Sequence, residues 1–403
     1  WGLLILLALE FVRPQQIIPA LAPLHLPRLL TMWVALAWVL QAVVARRSGL
    51  MRDRQNAVMI GVLVVAAISV PGAYWPGQAT GALVDLAKKI VAFFLIINLA
   101  TDRRRVGMLV WTLVLLNAWL AANQIAAYAA ATPDTPLARL GGGTDSFLGN
   151  TIDFAVAIAV VLPYAAFLTF AEKRTATVVA AALFTGLFVV SMVATGARSG
   201  AVALVVLAVV VWAKSPRKVV GLAVIGALLA GCWILSPTAY RERVLSIREY
   251  RQDASAMGRI ENWGVAYRML RDRPFIGVGI DNFAIAYGVR YSPAGEQRWA
   301  AVHNVVLQAA AELGVVGLTM YLLLLFFVLG DNRRTRALAA HMVSDQGRWY
   351  RNLAHGVDAS LIGFLVTSLF ATTLYYPHLY LIAGLAVALK HAALADAPAE
   401  AAP

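Results

Sequence analysis

A chain of 403 residues that is 61% apolar and 14% charged, with a mean hydropathy of +0.72, does not have the composition of a water-soluble globular protein. Its net charge of +13 sits in clusters between apolar runs rather than along soluble faces, which argues against nucleic acid as a partner. The single cysteine, Cys232, excludes disulfides within the chain and cysteine-based metal sites.

In chain order, apolar segments fall near 1–12, 28–45, 56–74, 79–100, 106–131, 149–171, 175–196, 199–213, 219–236, 304–329, 353–375 and 378–394. The first, from Trp1 to Val12, is shorter than the roughly 20 residues of a full span and reads as a trimmed one, with no cleavable signal peptide. Helices satisfy their own backbone hydrogen bonds in lipid, and the alternating pattern of a membrane barrel is absent. The expected fold is therefore all-α, a polytopic transmembrane bundle of about 12 helices. Its parts are helices 1–9 with short loops over 1–236, a large external connection over 237–302, helices 10–12 over 303–394 and a tail over 395–403.

Basic clusters occupy every second connection: Arg46, Arg47, Arg52 and Arg54; Arg103 to Arg105; Lys173 and Arg174; Lys214, Arg217 and Lys218; then Arg333, Arg334, Arg336, Arg348 and Arg351. By the positive-inside rule these face the cytoplasm, together with both termini, and the long connection faces outward. That connection holds ten arginines and no lysine. Loops of this length are translocated largely regardless of charge, so their composition asks for a functional account. A planar five-donor guanidinium suits phosphate or pyrophosphate. The alternative is that these arginines pair with acidic neighbours such as Glu261 and Asp272 or touch anionic headgroups.

Within the connection, Ser255 to Arg273 reads as an amphipathic helix stopped by Pro274, with Arg259 in its first turn, where guanidinium and free N–H groups would meet one anion. Gly277 and Gly279 mark a tight loop, without the third glycine or Lys-Ser/Thr of a phosphate loop. Arg198 lies between glycines in Thr195-Gly-Ala-Arg-Ser-Gly200, ahead of an apolar run too short to cross ~30 Å upright, so it is expected below the outer surface, facing an anion or a carboxylate. Asp85, Lys88 and Lys89 interrupt the fourth segment. They read either as a structural i,i+3 or i,i+4 pair or as a second anion contact. Arg139, in the glycine-rich third outer loop, is a further candidate contact.

Among the six histidines, His303 opens the tenth helix directly after the arginine-rich segment, where a helix start and guanidinium groups disfavour imidazolium. A neutral imidazole is what a general base requires. His378 follows Tyr375-Tyr-Pro at an outer turn and is a weaker candidate for the same cavity. Glu312 cannot pair with His303 on a straight helix, because nine residues at ~100° each put it on the opposite face, ~13 Å deeper. Neither a paired His/Cys set, nor HExxH, nor DxD, nor a GxSxG elbow is present, so the expected site uses no metal and no cofactor. Arginines for phosphate and a histidine for a hydroxyl suit transfer of a group away from a lipid pyrophosphate at the outer membrane face.

The motifs Arg259-Ile-Glu-Asn-Trp263, Pro274-Phe-Ile-Gly-Val-Gly279, His303-Asn and Glu312-Leu-Gly, with Thr195-Gly-Ala-Arg-Ser-Gly200 upstream, resemble the signature of the bacterial O-antigen ligase and O-antigen polymerase superfamily. Their order and the number of spans extend the resemblance over nearly the whole chain, and the ligase branch is the more similar. The resemblance implies a multi-pass enzyme of the bacterial inner membrane, with its active site facing the periplasm. Such an enzyme transfers polysaccharide from undecaprenyl pyrophosphate to a sugar hydroxyl of lipid A-core, without metal. It also implies that Arg198 and Arg259 bind the pyrophosphate, while His303 acts as general base in an inverting displacement. Nothing carries over to Lys88 or Lys89. The alternatives are a polymerase or a protein oligosaccharyltransferase on the same donor and, from another class, a flippase for lipid-linked sugars.

Overall fold

The computed structural model describes residues 2–12, 24, 26–44, 51–130, 150–215, 254–293 and 298–398, with isolated positions between 218 and 231. Arg139, Cys232, most of the predicted ninth span at 219–236 and the end of the tail lie outside the described residues. Among the described residues the structure is all-helical, without strands. The helices are α1 (Gly2–Val12), α2 (Leu26–Val44), α3 (Arg54–Ser69), α4 (Pro76–Leu99), α5 (Arg103–Ala130), α6 (Thr151–Ala171), α7 (Thr175–Ala194) and α8 (Arg198–Lys214). The outer segment supplies α9 (Ala254–Asp272) and the short α10 (Phe283–Ala286), which runs into a π turn. The chain returns as α11 (Val305–Ala340), α12 (Ser344–Ser368) and α13 (Pro377–Asp396).

Every predicted apolar segment within the described residues is a helix. Among those residues, α5, α6, α7, α11 and α13 are long and apolar enough to cross a membrane. Local chemistry fixes the ends. Asp53 caps α3 by accepting from the Gln55 N–H (3.0 Å), Asn150 caps α6, and Asn304 caps α11 by accepting from Val306 and Leu307 (3.0 and 3.1 Å). Prolines open α4 and α13, where the missing N–H costs nothing.

The bundle is built around α6, which is apolar on all sides and buried along nearly its whole length, packed by α7, α8 and α12. Pro163 interrupts its hydrogen-bond ladder. At that turn α12 closes in: Ser360 donates to the Val160 carbonyl (2.7 Å), and a side chain at Gly363 would overlap the Ala159 carbonyl. At the opposite end from the outer segment, Lys390 of α13 is buried between Asp53 and Asp331, its Nζ 3.0 Å from the latter. Arg54 (3.0 Å) and Gln55 (2.7 Å) complete the shell of Asp331, which ties α3, α11 and α13 together. A buried carboxylate is tolerated only with such a full set of partners.

Helix α11 is much longer than its predicted apolar run, because Asp331, Asn332 and Thr335 are polar yet buried against neighbouring helices and extend it inward. It is also broken. Gly314 is non-helical (φ 66°, ψ −168°), and the break is filled by the loop after α9. Val315 N donates to the Pro274 carbonyl (2.7 Å), Val278 N to Ala311 O (2.9 Å) and Gly279 N to Glu312 O (3.0 Å). The Glu312 carboxylate, itself buried, accepts from the N–H groups of Asp281 (3.2 Å) and Phe283 (3.3 Å), from Gln308 Nε2 (3.3 Å) and from the Tyr375 hydroxyl (2.7 Å). Side chains at Gly277 or Gly314 would overlap the backbone of the opposite segment. The glycines predicted as a tight loop thus permit contact between two backbones.

Gly314→Ala should lower the thermal unfolding midpoint of the detergent-solubilised protein by the equivalent of about 2 kcal/mol or more, since the new methyl group meets Phe275 and the residue sits at positive φ. Gly186→Ala, in α7 with open space around it, should leave the midpoint unchanged or raise it.

Candidate active site

The clasp between the outer loop and α11 determines where α9 lies. Asn262 of α9 donates to the Ala301 carbonyl (2.9 Å), and the end of α9 reaches Gly314. Helix α9 and the first half of α11 therefore run side by side in the same direction. Val265, Ala266 and Met269 form a small separate core there with Phe283, Val302 and Ala311. In this register Arg259 stands beside the chain just ahead of α11, which carries His303.

His303 occupies the left-handed region (φ 49°), a conformation that costs about 1–3 kcal/mol for a residue other than glycine. It is held by Asn262 upstream at Ala301, by Thr372, whose hydroxyl oxygen accepts from the His303 N–H (3.2 Å), and by the Asn304 cap that follows. Strain maintained by three separate contacts is characteristic of a functional position. The imidazole is half-buried. Burial first, and then the Arg259 guanidinium, depress its pKa below the usual histidine value. Arg259 and His303 thus share one electrostatic site. Arg259 stands in the second turn of α9, because Ala254 and Ser255 are already helical, and so lies past the free N–H groups of the helix start.

Arg198, half-buried, is the first residue of α8, after Gly196 at φ 63° and a turn in which the Ala197 N–H donates to the Thr195 hydroxyl oxygen (3.2 Å). Its level follows from packing. A side chain at Gly363 of α12 would touch Leu207 of α8, and one at Gly200 would touch Ala155 of α6. Counting outward from the first of these contacts along the antiparallel α8 and α12 brings Arg198 and Thr372 to one level. Counting from the second brings Asp153 there too. Tyr376 bonds Asp153 from the same turn that carries Thr372. Arg198 therefore stands at the level of the 369–376 turn. His378 is buried at the start of α13, its ring 6.3 Å from that of Tyr376.

The α4 lysines separate. Lys88 pairs with Asp85 (2.7 Å, i,i+3), the structural pairing, with both side chains exposed. Lys89 is within electrostatic reach of Asp281, which also accepts from Gln78 Nε2 (2.7 Å). Burial raises the pKa of Asp281, and Lys89 opposes that rise. Lys89 stands further along α4 than Gln78, which bonds Asp281 directly, and so reaches the clasp from deeper in the bundle. Two outer arginines pair with acidic neighbours: Arg298 with Glu261 (3.0 Å) and Arg271 with Asp272 (3.5 Å). Among the described residues, no group of three or more His, Cys, Asp or Glu side chains gathers as a metal site.

Sequence reasoning did not find Asn262, Thr372, Gln308 or Tyr375. Asn262 lies inside a motif already singled out. Gln308 accepts from the Leu374 N–H (3.0 Å) and donates to Glu312, and its only signal was the i,i+4 spacing of two polar residues in an apolar helix.

Residues 182–322, from α7 into α11, match the family model described as O-antigen ligase. The match contains Arg198, Arg259, His303 and Glu312, and it supports membership of the O-antigen ligase and polymerase superfamily. No curated protein matches the chain.

Arg259→Gln removes a positive charge beside the imidazole, so the His303 pKa should rise toward its ordinary value, as read by NMR titration of labelled histidine with a His303→Gln variant to assign the signal. An unchanged midpoint would contradict the shared site.

Proposed function

We propose that this chain, whose residues 182–322 match the O-antigen ligase family, is a membrane glycosyltransferase that moves O-antigen polysaccharide from undecaprenyl pyrophosphate to a sugar hydroxyl of lipid A-core. In this reading it is a twelve-span protein of the bacterial inner membrane with both termini cytoplasmic, and the outer segment over 237–302 faces the periplasm. The observation that carries the proposal is the strained, neutral-biased His303 beside Arg259 at the outer end of the bundle.

His303 takes the proton of the acceptor hydroxyl as that oxygen bonds to the anomeric carbon. The bond from that carbon to the pyrophosphate oxygen breaks on the opposite side, inverting the centre. Arg259 and Arg198 receive the charge that develops on the departing pyrophosphate, in the place a divalent ion takes in other transferases. Such contacts favour the transition state over the ground state, because the leaving oxygens gain charge only as the bond breaks. Lys89, deeper in the bundle, and His378, buried behind Tyr376, are assigned as secondary contacts. Lys88, paired with Asp85, has a structural account, and Arg139 enters only through its sequence position.

The test mixes purified protein with undecaprenyl-pyrophosphate glycan and either core lipopolysaccharide or a second donor molecule, in chelator. Glycan joined to core is the expected product. A lengthened donor would reassign the chain as a polymerase, and donor carried across vesicles without covalent product would make it a flippase. His303→Ala should abolish transfer while leaving donor binding largely intact, whereas Arg198→Ala and Arg259→Ala should weaken donor binding and slow transfer together. Undiminished transfer by the His303 variant would remove the base.

A further inference from the structure

The outer loop carries a second cluster that the transfer chemistry does not use. Arg273, at the foot of α9, donates to the Gly72 carbonyl, and its guanidinium lies over the Tyr74 ring (4.7 Å to the centroid). Arg290, exposed at the π turn, lies within electrostatic reach of the same Tyr74 and 5.9 Å from the centre of the Tyr291 ring. Arg271 stands alongside, paired with Asp272 (3.5 Å), which also accepts from the Tyr291 hydroxyl (3.1 Å). Next to these cations the chain turns apolar side chains outward: Phe275 is 69% exposed and Ile276 38%, although neither belongs to a spanning helix. Both lie against the break in α11, where Val315 and Val316 are also exposed.

The depth of this patch can be measured along the molecule. Asp331 of α11 meets the first turn of α3 through Arg54 and Gln55, which places one edge of the apolar layer near that residue. A layer ~30 Å thick spans roughly 20 helical residues, so the other edge falls near Ala311, one turn from Gly314. The short α3 agrees: its last residue, Ser69, accepts from the Ile280 N–H (3.1 Å), so the connection from α3 to α4, which holds Gly72 and Tyr74, reaches the same edge. Phe275 and Ile276 therefore lie at the hydrocarbon boundary, continuous with the lipid-facing side of α11, and Arg273 and Arg290 stand beside them at headgroup depth.

We propose that this corner is a seat for one anionic phospholipid of the surrounding membrane, its phosphate held by Arg273 and Arg290 against Tyr74, and its acyl chains lying over Phe275, Ile276 and Val315. Apolar side chains at the boundary and guanidinium groups above it match the two halves of such a lipid and match a soluble anion only at one end. The proposal depends on α11 spanning the membrane and is independent of the transfer reaction.

To test it, the full chain in detergent is incubated with phosphatidylglycerol or phosphatidylcholine, without donor or acceptor, and the lipid it retains is counted by native mass spectrometry. The wild type should retain phosphatidylglycerol in preference to phosphatidylcholine. Arg273→Ala with Arg290→Ala should weaken retention about tenfold to thirtyfold. Two single changes that leave the Arg273 bond to Gly72 in place, Arg290→Ala and Phe275→Ser, should each lower it by a smaller factor. Arg298→Ala, away from the apolar rim, should behave as wild type. Retention that survives the double change, equal retention of the two lipids, or displacement by free glycerol phosphate as effective as by phosphatidylglycerol would each overturn the seat.

Discussion

The break in α11 at Gly314 governs the outer half of this molecule. A continuous helix would direct its own N–H and carbonyl groups inward, leaving none for a passing loop. Because the helix opens there, the Val315 N–H donates to the Pro274 carbonyl instead of to the turn before it, while the carbonyls of Ala311 and Glu312 accept from the N–H groups of Val278 and Gly279. The Glu312 carboxylate completes the junction from inside, with four donors drawn from the outer loop, from its own helix and from the 369–376 turn. A single buried acid thus joins the three segments that surround His303.

From this junction the electrostatics of the site follow. The clasp sets the foot of α9, Asn262 sets its upper part, and just beyond Asn262 Arg259 comes to rest beside His303. The guanidinium does two things at that place: it favours an anion, and it disfavours a second positive charge on the imidazole. On the proposed function, a histidine biased toward its neutral form by burial and then by a neighbouring arginine suits taking a proton where a phosphate would bind. One arrangement accounts for both properties, and this explains why the residues sit on different segments, held in register by backbone contacts, rather than on one helix.

Much of this was legible in the sequence, and the parts that were not share a cause. The apolar runs gave helices because lipid leaves the backbone no other partner, and their boundaries fell close to those found for α4 to α8 and α13, whereas α12 begins well before its expected run and ends before that run does. The i,i+3 pair of Asp85 and Lys88 and the closeness of an arginine to His303 could be read because side-chain type and spacing carry them. The length of α11 could not. A hydropathy window ends before Asp331, and only the tertiary partners Arg54, Gln55 and Lys390 make burial of that residue tolerable. The role of Gly277, Gly279 and Gly314 was hidden for a related reason. Two backbones in contact leave no pattern beyond the missing side chains, so Pro274-Phe-Ile-Gly-Val-Gly279 and Glu312-Leu-Gly314 read as separate motifs although they form one joint.

The same joint fixes the height of the site above the membrane. If the outer edge of the apolar layer lies near Ala311, His303 stands roughly 12 Å beyond it, at 1.5 Å for each helical residue between. A phosphate tethered to a lipid cannot travel far from that edge, and a sugar chain cannot enter it. On the proposed function, a proton acceptor at this height, with Arg259 beside it, would meet the junction between the two: the bond linking a lipid-borne phosphate to its first sugar. Lys89 near Asp281, and Arg273 above Phe275, lie lower, where only the lipid portion of a substrate or of the membrane itself extends. The vertical order of cations along α9 and the clasp thus sorts chemistry from anchorage, and that order follows from where the helix is broken.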